Sequence, residues 1–166
     1  MAGRGNLRWF GISALAVACD QMSKVAVERL TPEGYNLPII PGFLNLVHTH
    51  NPGVAFGLFS DFGSPWVPVA LVVFSLGVIA LVGLMLARGP VDTLRRNTGL
   101  ALVLGGATGN LVDRMLHEGV LDFADFYAGE YHWPAFNVAD SCILIGAGLV
   151  ILEILGEKSG TAEIKQ

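Results

Sequence analysis

The sequence predicts an all-α membrane protein with four transmembrane helices and a small extracytoplasmic β-rich subdomain, all within a single domain over residues 1–166. Three observations lead to this fold class. Charged residues make up only 14% of the chain, against roughly 25% in a typical soluble domain. Hydrophobic residues make up 52% of the chain. Four separate apolar stretches each approach the roughly 20 residues that an α-helix needs to cross a bilayer.

The four predicted spans cover residues 9–30, 66–87, 98–115 and 136–155. The second span is the most apolar and contains no charged residue, whereas the third is rich in Gly and Ala. Glycines in the third and fourth spans predict close helix–helix contacts, because small residues let two backbones approach each other in a bilayer. These glycines are Gly105, Gly106, Gly109, Gly146 and Gly148.

Arginine and lysine residues predict the orientation of the spans, because positive charge accumulates in cytoplasmic loops. The residues that define the cytoplasmic side are Arg4, Arg8, Arg88, Arg95, Arg96, Lys158 and Lys165. We therefore expect both termini and the loop at 88–97 in the cytoplasm. Residues 31–65 and 116–135 are then expected on the outer side.

The long outer segment, residues 31–65, predicts short strands and a turn at the membrane surface. Its central part, residues 38–60, reads PIIPGFLNLVHTHNPGVAFGLFS and is rich in β-branched and aromatic residues. Pro and Gly interrupt this pattern, as they do between strands.

We expect the charged residues within the first span to face the interior of the helix bundle and to have a function. Placing an ionisable group in a bilayer costs at least a few kcal/mol of free energy. Asp20 and Lys24 are four residues apart and therefore lie on one helical face. A structural ion pair between them is the simpler interpretation. In the functional interpretation, Lys24 holds the backbone of the outer segment or a substrate carbonyl.

Polar residues also gather at the outer ends of the third and fourth spans. Asn110, Asp113 and Arg114 end the third span, where the Arg114 fork suits a carbonyl or carboxylate. We expect Asp113 to pair with a nearby base. Asn137 and Asp140 begin the fourth span, three residues apart on one face. Asn137 is also a suitable helix cap, but capping does not require the deeper carboxylate.

Asp122 lies among apolar residues in the segment between these two spans, which we expect to form a loop. Asp122 and Asp140 flank a short outer connection, so both side chains are expected to reach one site. Two carboxyl groups held close together share a proton. The ionised group takes a proton from water while the protonated group donates to a carbonyl. This is the chemistry of an aspartic protease.

Five sequence motifs resemble the lipoprotein signal peptidase family, also called signal peptidase II. They occur in order, at the ends of the predicted spans, and the resemblance covers residues 9–155. The motifs are DQMSK at 20–24, NPGVAFG at 51–57, GGATGNLVDR at 105–114, VLDF at 120–123 and FNVADS at 136–141. One departure is visible, because Val54 stands where the family commonly has Ala.

The resemblance implies an intramembrane aspartyl endopeptidase with Asp122 and Asp140 as its catalytic pair. It further implies that the pair is supported by Asp20, Lys24, Asn51, Asn110, Arg114 and Asn137. The implied substrate is a prolipoprotein that already carries diacylglyceryl on its cysteine and is cut before that cysteine. The implied location is the bacterial cytoplasmic membrane, with the active site near its outer face. A small membrane-surface helix is implied within residues 31–65, beside the strands.

Four other interpretations compete with the protease. A metal hydrolase would use the outer histidines His48, His50, His117 and His132, although the sequence contains no His-Glu-x-x-His motif. A small proton- or ion-coupled membrane transporter would explain the intramembrane acids, but we see no inverted repeat. A lipoprotein would use residues 16–19 as its cleavage box, yet three spans follow that box. A purely structural four-helix protein leaves Asp122 and Asp140 without a role.

The expected partners are lipidated precursors and membrane lipid. No basic run suggests nucleic acid, and we expect neither a cofactor nor a metal. We expect a monomer, because four spans suffice to enclose one site.

Overall fold

The computed structural model describes residues 6–53, 66–89, 94–117 and 119–163, with side chains described up to residue 156. Within these residues the chain forms four long helices and four strands. The helices are α1 (Leu7–Leu30), α2 (Trp66–Arg88), α3 (Leu94–Leu116) and α4 (Val138–Glu163). Each of them contains most of one predicted span, so the prediction of four helices is confirmed.

Membrane-spanning composition is found for three helices in the described part of the chain. By length and hydropathy, α1, α2 and residues 138–156 of α4 qualify. The helix α3 does not, because it contains several polar and charged residues. It packs against all three other helices. Much of its surface therefore faces protein, and a helix in such a position can be less apolar than the others. The prediction of a third transmembrane span at 98–115 therefore remains a prediction.

Glycines on α3 bring the neighbouring helices into direct backbone contact. A Cβ atom added to Gly99 would lie 2.6 Å from the Gly146 carbonyl oxygen, and one added to Gly105 would lie 2.6 Å from Ala16 Cβ. Such distances exclude any side chain, as predicted for glycines at helix interfaces. The prediction was wrong for Gly148, because its Cβ position faces open space.

The strands form one antiparallel sheet in the order β1-β2-β3-β4 at one end of the helices. Their ranges are β1 (Asn36–Ile40), β2 (Leu44–Asn51), β3 (Val120–Ala128) and β4 (Tyr131–His132). The first two confirm the predicted strands within residues 31–65. The implied surface helix does not appear in residues 31–53, and Val54 with residues 55–65 lies outside the described residues.

The segment between α3 and α4 was wrongly predicted as a loop. It forms β3, which pairs with β2 so that Thr49 lies opposite Asp122 and Asn51 lies opposite Val120. Apart from the two-residue strand β4, the strand that pairs with β3 is β2, which is distant in the sequence, so this pairing is found only in the folded chain. The pairing joins the two outer segments into one sheet.

Candidate active site

Asp122 lies near the start of β3, with only 3% of its surface exposed. Two amides hold its carboxyl group. Asn137 Nδ2 donates to Oδ1 at 2.8 Å, and Asn51 Nδ2 donates to Oδ2 at 3.2 Å. Asn51 is the last residue of β2, so the pairing of β2 with β3 brings this donor to Asp122.

Asp140 lies in the first turn of α4, where its carboxyl group takes part in a reciprocal cap. Asn137 Oδ1 accepts a hydrogen bond from the Asp140 backbone N–H at 2.9 Å, and the Asn137 N–H donates to Asp140 Oδ2 at 3.3 Å. This is the geometry of a capping box, which pairs helix-end donors that would otherwise be unsatisfied. Asn110 Nδ2 donates to Asp140 Oδ1 at 2.8 Å.

Asn137 therefore contacts both acids at once. Its side-chain oxygen and backbone N–H fix the first turn of α4 at Asp140, and its amide nitrogen fixes Asp122. The side chain is almost fully buried, with 1% exposed. The capping role considered for Asn137 is confirmed, and the same side chain also brings the two acids to one place.

The environment of Asp122 favours its protonated form. Its pKa is raised from 3.8 to about 7, chiefly by burial and also by the neighbouring carboxyl of Asp140. The hydrogen bonds from Asn51 and Asn137 and the positive charge of Lys24 oppose it. Because burial outweighs these contacts, Asp122 keeps a proton up to about neutral pH.

A buried ion cluster lies beside the two acids. Lys24 Nζ lies 2.8 Å from Asp20 Oδ2 and 2.8 Å from Asp113 Oδ2, and all three residues are at least nine-tenths buried. The predicted pair of Asp20 and Lys24 and the predicted pairing of Asp113 with a base are both confirmed. Among the described residues Lys24 contacts Asp20, Asp113 and Asn110 and no backbone of residues 31–53. A contact between Lys24 and a substrate carbonyl stays a prediction.

The ion cluster fixes the elements that present the acids. Asp20 Oδ1 accepts from the Ala139 N–H at 2.9 Å, which ties α1 to the first turn of α4. Asp113 Oδ2 accepts from the Leu121 N–H at 3.3 Å, next to Asp122. A carboxylate at a helix N-terminus is favoured by the helix dipole. The position of Asp140 thus depends on Asp20, and that of Asp122 depends on Asp113, through the neighbouring backbone in each case.

Asn110 connects the ion cluster to both acids. Its Oδ1 accepts from Lys24 Nζ at 3.1 Å and from Asn137 Nδ2 at 3.3 Å, while its Nδ2 donates to Asp140. The amide orientation follows from these partners, because a lysine can only donate. A continuous hydrogen-bonded path therefore runs from Lys24 to Asp122 and Asp140.

Arg114, in the last turn of α3, holds the residues that follow β2. Its guanidinium donates to the Asn110 carbonyl oxygen at 3.2 Å and to the Gly53 carbonyl oxygen at 3.4 Å. The prediction that this fork binds carbonyl groups is confirmed for these two.

Asp122 and Asp140 line the same cavity, whose volume is about 780 Å³. Asn51, Asn110 and Arg114 also reach it. Most of the remaining wall is apolar and comes from the sheet, from the segment before α4 and from α4 itself. These apolar residues include Phe43, Val120, Phe126, Trp133, Phe136, Ile143, Leu144 and Ala147. The site therefore combines two acids with a wall suited to an apolar ligand.

Asp113 and Gln21 belong to this network but were not among the predicted site residues. Gln21 Nε2 donates to Asp20 Oδ2 at 3.1 Å and to Asp113 Oδ1 at 2.9 Å, which bridges the two carboxylates that share Lys24. Its position inside an apolar span, beside Asp20, was the available signal.

The outer histidines do not form one group. The rings of His48 and His50 are 5.4 Å apart, and the ring of His117 lies 6.5 Å from that of His50. His132 instead bonds to Asp125 at 2.9 Å. A catalytic metal held by all four histidines is therefore wrong, and none of the four is among the cavity-lining residues that the structure describes.

The described structure combines helices of membrane-spanning composition with two acids that line one apolar cavity. These features are typical of a membrane enzyme. The family model described as Signal peptidase (SPase) II matches residues 12–156. The chain belongs to this family and is accordingly a protease and a multi-pass inner-membrane protein. The transporter interpretation is thereby displaced.

Relatives and solved structures agree with this assignment. A lipoprotein signal peptidase of Solibacter usitatus is 38% identical, with 96% of this chain and 98% of the relative covered. One of Desulforapulum autotrophicum is 42% identical, with 95% and 98% covered. A solved bacterial membrane enzyme matches with a TM-score of 0.82 at 27% identity, covering 92% of this chain and 90% of that one. A second matches with a TM-score of 0.77 at 28% identity, covering 89% and 92%.

Proposed function

We propose that Asp122 and Asp140 are the catalytic acids of an endopeptidase that removes signal peptides from lipoprotein precursors. One observation supports this most strongly: Asn137 hydrogen-bonds to both acids, and both line one cavity. Two carboxyl groups on opposite sides of a scissile bond suffice for peptide hydrolysis without a covalent intermediate.

The acids share one proton in the resting enzyme. The raised pKa of Asp122, about 7, supports this, because a pair with one proton serves as acid and base together. The ionised carboxyl takes a proton from water, whose oxygen attacks the scissile carbonyl carbon. The protonated carboxyl donates to the carbonyl oxygen. When the tetrahedral intermediate collapses, the C–N bond breaks and the carboxyl that took the proton from water gives it to the leaving nitrogen. The other carboxylate takes a hydroxyl proton from the intermediate as the new carboxylic acid forms, so the pair again holds one proton.

The substrate is a precursor whose cysteine carries diacylglyceryl, cut immediately before that cysteine. The names of the relatives support a lipoprotein substrate, and the apolar wall of the cavity supports a lipid ligand. Acyl chains beside Ile143, Leu144 and Ala147 on α4 would supply binding energy away from the reacting bond. That energy positions the bond at the acids.

Arg114 and Asn51 hold the strand end that borders the cavity. Asn51 Oδ1 accepts from the Gly53 N–H at 3.0 Å, and Arg114 binds the Gly53 carbonyl oxygen. Both side chains also reach the cavity. We infer that they bind the backbone of the precursor next to the scissile bond.

We infer further that α3 is the third transmembrane span, enclosed by the other helices, and that the site lies at the outer face. The sheet, the end of α1, the end of α3 and the start of α4 all meet at one end of the molecule. The positive residues at 88–96 belong to the opposite end and place it in the cytoplasm. Both termini are then cytoplasmic, and a monomer suffices for activity.

The test is cleavage of a lipidated precursor by Asp122→Asn and Asp140→Asn. We expect turnover to fall by at least roughly 10²- to 10⁴-fold in each variant, because the missing carboxyl removes an acid or base from the reaction. The matched control is Asp125→Asn. Asp125 is a buried acid on the same strand that bonds to Asn45 and His132 and does not line the cavity among the described residues. Wild-type turnover in either site variant would refute the proposal.

A further inference from the structure

A second cluster of titratable side chains lies apart from the cavity, where the end of α1 meets β2. His48 Nε2 lies 3.3 Å from Glu28 Oε2, and His50 Nε2 lies 3.6 Å from the same oxygen. One possible ligand atom from each residue lies within 4.8 Å of the other two. None of the three is among the cavity-lining residues that the structure describes.

The hydrogen bonds of His48 fix which ring nitrogen has the proton. Nδ1 lies 3.1 Å from the Thr31 carbonyl oxygen and 3.0 Å from the Thr31 hydroxyl. A carbonyl can only accept, and the hydroxyl hydrogen is donated to the Val27 carbonyl at 2.8 Å. Nδ1 therefore donates, and in the neutral form of the ring the lone pair of Nε2 points toward Glu28.

This lone pair has no hydrogen-bond partner among the residues that the structure describes. His48 is buried, with 3% exposed, and its nearest acidic atom, Glu28 Oε2, is an acceptor as well. Two acceptors facing each other at 3.3 Å are unfavourable unless a positive charge lies between them, either a proton on Nε2 or a metal ion. A buried imidazole with a free Nε2 and a fixed Nδ1–H is the form in which histidine binds metals.

The two separations from Glu28 Oε2 fit two edges of a zinc tetrahedron. Zinc binds imidazole nitrogen at about 2.0–2.1 Å and carboxylate oxygen at about 2.0–2.2 Å, so two such ligands lie roughly 3.3–3.5 Å apart. The two separations to Glu28 Oε2, 3.3 Å and 3.6 Å, are close to that value. Two histidines and one carboxylate are a common zinc ligand set that leaves a fourth position for water.

Outer partners and access complete the site. His48 has the Thr31 carbonyl oxygen as an acceptor at Nδ1, whereas the nearest acidic oxygen to His50 Nδ1, Glu33 Oε1, lies 3.8 Å away, beyond hydrogen-bond distance. Such carboxylate or carbonyl partners orient metal-binding histidines. The Glu28 side chain is 48% exposed and that of His50 is 25% exposed, which gives an ion a path from solvent.

We propose that Glu28, His48 and His50 bind one zinc ion that fastens β2 to the end of α1. An open fourth position is typical of catalytic zinc, but these three residues are not among the described residues that line the cavity, so we assign the ion a structural role. This role does not depend on the proposed peptidase mechanism. Asn51, which hydrogen-bonds to Asp122, directly follows His50 in the chain, so the ion would also limit the movement of this donor. This proposal departs from the expectation that the protein contains no metal.

The test uses full-length, metal-stripped protein in detergent without a polyhistidine tag, titrated with Zn²⁺ by calorimetry and with Co²⁺ by visible absorption. We expect one equivalent of Zn²⁺ to bind, tetrahedral Co²⁺ absorption to appear, and the melting temperature to rise with Zn²⁺. His50→Gln and Glu28→Gln should each weaken binding by more than the roughly 10- to 100-fold that loss of an outer partner costs. Both residues are partly exposed, so both variants are expected to fold.

His132→Gln is the matched control, because His132 is also a partly exposed histidine beside an acid on the same sheet. It should bind Zn²⁺ with unchanged affinity. The proposal is overturned if the wild type shows no saturable one-to-one binding, or if His50→Gln binds Zn²⁺ as tightly as the wild type does.

Discussion

Asn137 illustrates how much one side chain contributes to the site. It caps α4 through its oxygen and donates to Asp122 through its nitrogen. The donated hydrogen bond lowers the pKa of Asp122 against the opposing effect of burial. A residue that satisfies a helix end therefore also limits how strongly the carboxyl beside it holds its proton.

Asn137→Ser separates these two roles. Serine keeps a cap oxygen but is too short to donate to Asp122. We expect the turnover number to fall on the order of 10²-fold, because the acids lose their common contact. We also expect the upper pH limit of cleavage to move above about 7, since loss of the hydrogen bond raises the pKa of Asp122 further. Cleavage measured as a function of pH tests both effects.

Asn45→Ser is the control for this substitution. Asn45 is also a buried amide that donates to an acid on β3, namely Asp125, at 2.9 Å. It should change stability but leave the pH profile in place. An unchanged profile in Asn137→Ser would contradict the role assigned to its amide.

The site residues were predictable from sequence to the extent that they lie at span ends. Asp140 and Asn137 begin a helix, and Asn110 and Arg114 end one, so their convergence follows from four antiparallel helices. The bond from Asp113 to the Leu121 N–H could not be predicted, because it requires β3 to return beside α3. The bridge made by Gln21 depends on the rotation of α1 against α3, which hydropathy does not specify.

At the scale of elements, the contact between α3 and α4 positions Asp140. A Cβ atom on Gly106 would collide with the Ala139 carbonyl oxygen, in the first turn of α4. The collision is with backbone, so no side-chain rotation relieves it. The two helices can only separate, which would pull Asp140 away from Asn110.

Gly106→Ala is therefore expected to destabilise the fold by about 1–3 kcal/mol, the usual cost of overpacking, and to reduce cleavage. Gly148→Ala is the matched control on α4, because its Cβ meets open space. Alanine is the better helix former, so this variant should be at least as stable as the wild type. Thermal unfolding in detergent and a cleavage assay measure the difference. Equal effects of the two substitutions would contradict the proposed helix contact.

Hydropathy predicted the helices well because an apolar stretch long enough to cross a bilayer has few alternative structures. The predicted start at residue 136 and the observed start at Val138 differ by two residues, since Asn137 is the cap. The strand β3 was missed for a different reason. Its partner β2 is about 70 residues away in the chain, and short strands beside helices give no periodicity of their own.

At the scale of the whole molecule, the cavity joins the polar network to an apolar wall on α4 and the sheet. This arrangement predicts that much of the binding energy for a precursor comes from its lipid. We expect an unlipidated precursor of the same sequence to show kcat/KM lower on the order of 10²-fold or more. Cleavage of the two precursors by the same preparation measures this. Equal values would contradict lipid binding in the cavity.

The central claim is that Asp122 and Asp140 hold a single proton between them. Infrared titration of the carboxylic acid band in wild type and Asp122→Asn tests it most directly. The pKa of Asp122 is raised from 3.8 to about 7, so the proton is present below that pH and is lost as pH rises through it. We predict a band that disappears near pH 7, together with cleavage, and is absent from the variant. A wild type whose acids are all ionised well below pH 7 would contradict the account.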